Sequence, residues 1–189
     1  MRLPYPFQAP LRTDRLVLRT MTPDDVADLH VYQSRADVCS YLPYEPRTRE
    51  ELAAKLEKWS TATTLAGEGD YWQLAMERSE DPGLVIGDLY FAIKSVQNEA
   101  AEIGWVLNPE HGGHGYMTEA ARAVLRIAFT EIGVHRVAAV LHPRNSASIA
   151  LCRRLGMRPE AHFVEDVWFK GAWDDTLIYA MLDREWRSS

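Results

Sequence analysis

The stretch His111–Ala120, HGGHGYMTEA, places three glycines within five residues and then changes to residues that favour a helix. Two interpretations are open. Gly113 and Gly115 have no Cβ, so the backbone can approach a ligand closely. The unpaired N–H groups and the positive dipole end of the following helix would then form a site for an anion. The other interpretation is an ordinary turn that happens to be rich in glycine, and glycine spacing alone does not decide between them.

The loop departs from the two common glycine-rich phosphate motifs. No Gly-Lys-Ser/Thr follows it, as it would in a P-loop. Thr118 stands where a dinucleotide fingerprint has its third glycine, and no parallel βαβ pattern precedes the loop. The surrounding sequence therefore has to decide which ligand, if any, the loop binds.

Composition and charge set the class of protein. The chain has 189 residues, of which 47% are hydrophobic and 25% charged, as in globular proteins, and we expect a single domain over residues 1–189 with a core at about 11–182. No apolar run approaches the ~20 residues that span a bilayer, and the N-terminus lacks the apolar segment of a signal peptide. Free thiols at Cys39 and Cys152 then predict a cytoplasmic protein. The net charge of −6 argues against nucleic-acid binding and suits a cationic substrate such as an amine.

Hydrophobic periodicity and capping residues predict the order βααβββαβαββ, an α+β fold with a mixed sheet. The predicted strands are 15–21, 71–78, 83–95, 99–108, 135–142 and two within 162–182 that flank a turn at Lys170–Gly171. The predicted helices are 22–34, 47–67, 118–133 and 145–156.

Four segments together resemble the GNAT acyltransferase superfamily, and most closely its branch of ribosomal-protein N-terminal acetyltransferases. They are LRTDRLVLRTMTPDD (11–25), AEIGWVLNPEHGGHGYMTEA (101–120), HPRNSASIALCRRLGM (142–157) and KGAWDDTLIYAML (170–182). The resemblance implies a mostly antiparallel sheet flanked by helices, in which the fourth and fifth predicted strands splay apart and acetyl-CoA lies in the gap. It also implies that a homodimer is common.

The resemblance implies an acetyl-CoA-dependent N-acetyltransferase. Its acceptor would be a primary amine, with a protein N-terminal α-amino group favoured. Two alternatives stay open: an enzyme that acts on a small-molecule amine such as an aminoglycoside, amino acid or polyamine, and a regulatory module that binds acyl-CoA without turnover. No single residue in the sequence identifies the acceptor.

The resemblance also assigns the cofactor-binding residues. The backbone of Trp105, Val106 and Leu107 would pair with the pantetheine amides. Asn145 and Ser148 would lie near the thioester, although both also suit helix capping. Backbone N–H groups would wrap the pyrophosphate at Gly113, His114, Gly115, Tyr116, Met117 and Thr118. Glu110 stands where relatives often have Gln or Arg, and Gly112 replaces a usual aromatic residue, so side-chain help for the phosphates is reduced.

Three residues are candidates for catalysis. Ser148 is the candidate that protonates the leaving thiolate, because Cys152 occupies the position where many relatives have a Tyr and an apolar helix face makes that Cys a core residue. Glu102 matches the position of a general base in many members, and its alternative role is a salt-bridged strand carboxylate. Glu165 is the second candidate for the base. We expect no metal site, because the loop offers two histidines and no third ligand.

Overall fold

The computed structural model describes residues 1–188, which form ten strands and six α-helices. The strands are β1 (Tyr5–Pro6), β2 (Leu11–Arg12), β3 (Leu16–Thr20), β4 (Thr64–Leu65), β5 (Tyr71–Arg78), β6 (Asp81–Ser95), β7 (Ala100–Leu107), β8 (Arg136–Leu141), β9 (Arg158–Phe169) and β10 (Ala172–Leu182). The helices are α1 (Val26–Gln33), α2 (Ala36–Cys39), α3 (Arg49–Trp59), α4 (Tyr116–Arg126), α5 (Ser146–Leu155) and α6 (Asp183–Trp186).

One eight-stranded sheet organises the chain, in the order β2-β3-β5-β6-β7-β8-β10-β9. Every neighbouring pair is antiparallel except β7 and β8, which are parallel, so the predicted α+β class with a mixed sheet is confirmed. Helices cover both faces of the sheet. On one face α4 and α5 close the larger core, while on the other face α1 and α3 pack on Ala75 and Val85.

The two parallel strands β7 and β8 separate soon after they begin. Their ladder consists of three pairs, of which the last is Glu102 with Ala138. Beyond that pair β7 continues to Leu107 against β6, and β8 continues to Leu141 against β10. The facing edges of 103–107 and 139–141 therefore have no ladder partner in each other, and the predicted splay is confirmed.

Several predicted boundaries are wrong, and each has a local cause. Helix α3 begins with a capping box formed by Thr48 and Glu51 and ends at Trp59, whereas the sequence prediction placed its end near Gly67. Residues Thr64 and Leu65 instead form β4 and pair with β1, as suits a segment rich in β-branched threonines. The sequence prediction also missed the short helix α2, whose last residue Cys39 is buried.

Helix α4 begins at Tyr116, directly after the glycine loop, and continues as a π-helical stretch over Ile127–Ile132. Gly133 ends it at a φ of 77°, as predicted. Within residues 1–188 no helix is long and apolar enough to cross a membrane.

Candidate active site

Two clefts meet where β7 and β8 separate, and each has a volume of about 410 Å³. The first, here the helix-start cleft, lies at the beginning of α4. The second, here the carboxylate pocket, lies on the face of the sheet that α1 and α3 cover. The clefts share the lining residues Tyr41, Leu42, Trp105, Val106, Asn145 and Ser148. A ligand in one cleft can therefore reach a ligand in the other.

The glycine loop forms one end of the helix-start cleft. Gly113 and Gly115 have φ angles of 81° and 79°, a backbone conformation that favours glycine, and Gly115 is the N-cap of α4. A Cβ built on Gly113 would meet nothing within 4 Å, so this residue leaves open space beside the backbone. Gly113 and Met117 line the cleft. The anion-site interpretation of the loop therefore fits its geometry.

A guanidinium from α5 lies beside the helix start. Arg154 lines the cleft and donates from Nε to Thr118 Oγ1 at 3.3 Å. Sequence reasoning missed Arg154, although a basic pair in the last turn of a predicted helix was visible. The Arg154 guanidinium places a positive charge next to the N–H groups of the first turn of α4, which the acidic Glu110 cannot do.

The other face of the loop turns toward β3. Arg15 donates from Nη1 to the His114 carbonyl at 3.0 Å and lies 4.9 Å from the centre of the Tyr116 ring. His114, Gly115, Tyr116 and Thr118 are not among the residues that line the cleft, unlike Leu107, Gly113 and Met117. Of the predicted loop residues 113–118, the structure thus brings Gly113 and Met117 to the cleft.

A hydrogen bond crosses the gap between β7 and α5. Trp105 Nε1 donates to Ser148 Oγ at 3.2 Å. Because an indole N–H can only donate, Ser148 accepts this bond and keeps its own hydrogen for another partner. Asn145 Oδ1 accepts from the Ser148 N–H at 3.0 Å, so Asn145 caps α5 while it also lines both clefts.

The floor of the carboxylate pocket is one face of β6 and β7. Asp88 pairs with Val106, Tyr90 with Gly104, and Ala92 with Glu102. Alternate residues of a strand share a face, and the rise is ~3.3 Å per residue, so the backbones of Asp88 and Glu102 lie about 13 Å apart along the sheet. The pocket thus has a carboxylate near each end and a bare glycine backbone between them.

The inner carboxylate, Asp88, is 3% exposed and has no ion-pair partner within residues 1–188. It accepts hydrogen bonds from Tyr32 Oη at 2.7 Å, Gln33 Nε2 at 2.9 Å and Gln73 Nε2 at 2.6 Å. Burial raises the pKa of Asp88 to about 6, against the lowering effect of these donors. Sequence reasoning missed this residue, and its one signal was an Asp inside an otherwise apolar strand.

The outer carboxylate, Glu102, lines the pocket and is also salt-bridged, so the predicted salt bridge is confirmed and its role as a general base stays a prediction. Its Oε2 lies 3.3 Å from Lys94 Nζ, and its side chain is 26% exposed. Tyr90 lies between the two carboxylates, and burial together with the charge of Glu102 raises the pKa of its phenol.

The segment between α2 and α3 forms the outer wall of the carboxylate pocket and is hydrogen-bonded to the turn between β9 and β10. Lys170 donates from Nζ to the carbonyls of Cys39 at 2.8 Å and Tyr44 at 3.0 Å. The Tyr41 ring lies 4.8 Å from the ring of His142, which is buried at the end of β8. These bonds hold the segment between α2 and α3 over the pocket.

Comparison with known proteins now decides the family. The profile of the acetyltransferase (GNAT) domain family matches residues 15–158, which is most of the chain. This chain belongs to the GNAT acetyltransferase family. The uncharacterized N-acetyltransferase YnaD of Bacillus subtilis (strain 168) is 31% identical over 176 residues, which is 93% of this chain and 98% of YnaD. The match predicted from the four sequence segments is therefore confirmed.

Two further proteins are similar to this chain. The crystal structure of a GNAT-family acetyltransferase from Bacillus anthracis superposes with a TM-score of 0.81 at 28% identity, covering 93% of this chain and 99% of that one. A putative ribosomal N-acetyltransferase of Bacillus subtilis (strain 168), YdaF, is 34% identical over 89 residues, which is 47% of this chain and 49% of YdaF.

The helix-start cleft of this GNAT chain fits acetyl-CoA by its chemistry. The open backbone at Gly113, the first turn of α4 and the Arg154 guanidinium suit a pyrophosphate. The free edge of β7 at 105–107 suits the pantetheine amides, and Ser148 lies on the far side. All of these residues line one cleft except the loop residues that face β3.

The structure does not bring Glu165 to this site. Glu165 lies on the edge strand β9 with a φ of 49°, is exposed, and lines neither cleft. Its N–H donates to Asp175 Oδ1 at 2.9 Å, and the neighbouring Asp166 is exposed as well. The ladder of β9 with β10 shifts register near Asp174, so strict alternation fails here.

Cys152 is a core residue, as predicted. It is fully buried on α5, and burial raises the pKa of its thiol to about 12. A thiol in that environment is a poor proton donor at neutral pH. Within residues 1–188 no three His, Cys, Asp or Glu side chains are grouped so that they could hold a metal ion.

Proposed function

We propose that this GNAT enzyme transfers the acetyl group of acetyl-CoA to the α-amino group of a protein or peptide N-terminus. One observation carries the choice of acceptor. Of the two carboxylates that line the pocket, Glu102 is paired with Lys94, whereas Asp88 has no ion-pair partner within residues 1–188. A single free carboxylate suits an acceptor with a single ammonium group. A polyamine or aminoglycoside has several, and the others would lie unpaired near Arg47.

The similarity to YdaF supports the same choice, because that relative is named a putative ribosomal N-acetyltransferase. The pocket volume of about 410 Å³ suits the first residue of a polypeptide, whose chain would leave past the exposed Tyr41.

On the cofactor side, acetyl-CoA supplies an acetyl group activated as a thioester. The N–H groups at the start of α4 and the Arg154 guanidinium would hold its pyrophosphate. Backbone groups of Trp105, Val106 and Leu107 would hold its pantetheine amides. Ser148 Oγ accepts from Trp105, so its hydroxyl hydrogen is free to protonate the leaving thiolate.

On the acceptor side, the two carboxylates have different tasks. Asp88 would hold the ammonium form of the amine. An amine attacks only when it is neutral, so a base must take one proton. We assign this to Glu102, which lies about 13 Å from Asp88 along the sheet and would therefore act through a chain of waters in the pocket. Glu102 suits the task because it is partly exposed and can pass the proton to solvent, whereas Asp88 is buried and the ammonium group would occupy the roughly one lone-pair site that its three donors leave.

A thiol-release assay with purified protein and acetyl-CoA tests the proposal. The acceptors are a peptide with a free N-terminus, the same peptide with a blocked N-terminus and an internal lysine, a free amino acid, spermidine and an aminoglycoside. We expect the free N-terminus to give the highest kcat/KM. A preference for a small-molecule amine would overturn the choice of acceptor, and no release with any amine at millimolar concentration would indicate a binding module.

A further inference from the structure

The inner end of the carboxylate pocket holds two opposite charges that an amide group keeps apart. Gln33, which is 1% exposed, donates from Nε2 to Asp88 Oδ2 at 2.9 Å and accepts at Oε1 from Arg47 Nη1 at 2.5 Å. The Gln33 carbonyl also accepts from the Arg47 N–H at 2.9 Å. The carboxylate and the guanidinium are therefore fixed one amide apart and do not form a direct ion pair.

Both charged groups keep unused hydrogen-bonding capacity. A carboxylate offers about four lone-pair sites, and the three donors on Asp88 leave roughly one. A guanidinium has five N–H donors. Within residues 1–188, Gln33 is the one side chain that accepts from the Arg47 guanidinium. The guanidinium lies over the Tyr44 ring, 3.4 Å from its centre, which fixes its plane. Asp88 and Arg47 both line the carboxylate pocket.

We propose that Asp88 and Arg47 together recognise an α-amino terminus. Asp88 binds the α-ammonium group, Arg47 donates to the carbonyl oxygen of the same residue, and Gln33 sets the distance between them. This inference rests on the proposed function and narrows its acceptor to amines whose α-carbon carries a carbonyl group.

The distance between the Asp88 carboxylate and the Arg47 guanidinium is the reason for choosing an α-amino terminus as the ligand. Gln33 links the two charges through the atoms N, C and O of its amide. An α-amino residue presents N, Cα, C and O in sequence, only one atom longer, so it can link the same two groups from the pocket side. A lysine side chain or a polyamine has no oxygen at this distance from its amine, and Arg47 would then stay unpaired beside a cation.

The test compares two acceptors that differ in one oxygen. The first is a tripeptide amide with a free N-terminus. The second is the same molecule with its first peptide bond replaced by a trans alkene, which keeps the shape and removes the carbonyl oxygen. We expect wild-type kcat/KM to favour the peptide by about tenfold or more, as a charge-assisted hydrogen bond contributes. Because the amine basicities differ, the informative quantity is the change in this ratio between variants.

Arg47→Met should lower kcat/KM for the peptide about tenfold and leave the alkene within about twofold. Asp88→Asn should lower both acceptors alike, about thirtyfold or more, because each loses its charged partner. The KM for acetyl-CoA should not change in either variant. Arg49→Met removes an exposed arginine that lines neither cleft and serves as the matched control.

Arg47→Lys keeps the charge and loses the planar fork, so it tests the same point if the methionine variant does not fold. The ratio of peptide to alkene should fall in this variant too. An unchanged ratio in a folded Arg47 variant overturns the inference and leaves the proposed function in place. Unchanged kcat/KM in Asp88→Asn overturns the inference and also removes the observation from which the acceptor was chosen. If the wild-type enzyme does not acetylate the tripeptide, the proposed function fails and the inference fails with it.

Discussion

Replacing Asp88 by Asn should stabilise the protein at neutral pH while it weakens acceptor binding. The pKa of Asp88 is raised from 3.8 to about 6 by burial. Each pKa unit corresponds to about 1.36 kcal/mol, so holding this carboxylate ionised in the fold costs up to about 3 kcal/mol. Asparagine cannot ionise, so it avoids this cost. The Gln73 amide must flip to accept from the new NH₂ group, which reduces the expected gain to about 1–3 kcal/mol.

The pH dependence has a definite sign. The pKa of Asp88 is higher in the folded state than in the unfolded state, so the folded protein binds the carboxyl proton more tightly. Below about pH 4 the carboxyl group is protonated in both states, and its ionisation does not lower the free energy of unfolding. The cost grows between about pH 4 and 6 and is constant above that. Asp88→Asn should therefore gain stability over wild type as the pH rises through this window.

Thermal unfolding at pH 4, 5, 6, 7 and 8 measures the difference. For a chain of this size we expect a shift of about 2–4 °C per kcal/mol in favour of Asp88→Asn at pH 7 and little shift at pH 4. Asp25 offers a control, because it is a buried carboxylate that is paired with Arg19 at 2.7 Å. Asp25→Asn should be destabilised at pH 7. If Asp88→Asn is less stable than wild type by the same amount at pH 4 and pH 8, ionisation of Asp88 does not reduce the stability of the folded protein.

Three further substitutions test the two clefts. Gly113→Val should lower the affinity for acetyl-CoA about tenfold or more by calorimetry, because it fills the open space beside the helix start. Gly83→Val has a similar positive φ of 91° and open surroundings, so equal losses in both variants would point to backbone strain. Gly104→Ala should raise the acceptor KM severalfold with an unchanged melting temperature, since the new Cβ meets only Tyr90 at 3.7 Å and otherwise projects between the two carboxylates. Glu102→Gln should lower kcat about ten- to a hundredfold at neutral pH and recover by pH 9, where an α-amine of pKa ~7.7–8.0 is mostly neutral. Equal kcat from pH 6.5 to 9 would exclude Glu102 as the base.

The sequence predicted those features that depend on neighbouring residues. The helix end at Gly133 and the glycine turn before α4 are both set within a few positions, and each is present. The splay of β7 and β8 depends on contacts between distant segments. No spacing in the sequence predicted it, and it followed only from the family resemblance.

The inner end of the pocket shows why part of the site was missed. Gln33 and Asp88 are 55 residues apart, and Gln33 and Arg47 are 14 apart, so no local pattern links the three. A lone Asp inside an apolar strand was the visible signal of Asp88. Glu165 was predicted as the second candidate for the base, and the irregular edge strand β9 leaves it exposed and outside both clefts.

The proposed α-amino acceptor is tested most directly with one peptide that carries both a free N-terminus and an internal lysine. The peptide is incubated with the enzyme and acetyl-CoA, and fragmentation mass spectrometry then locates the added acetyl group. We expect acetyl on the α-nitrogen, at a level that falls sharply in Asp88→Asn. Acetyl on the lysine side chain, or a product that forms equally well in Asp88→Asn, would contradict this proposal.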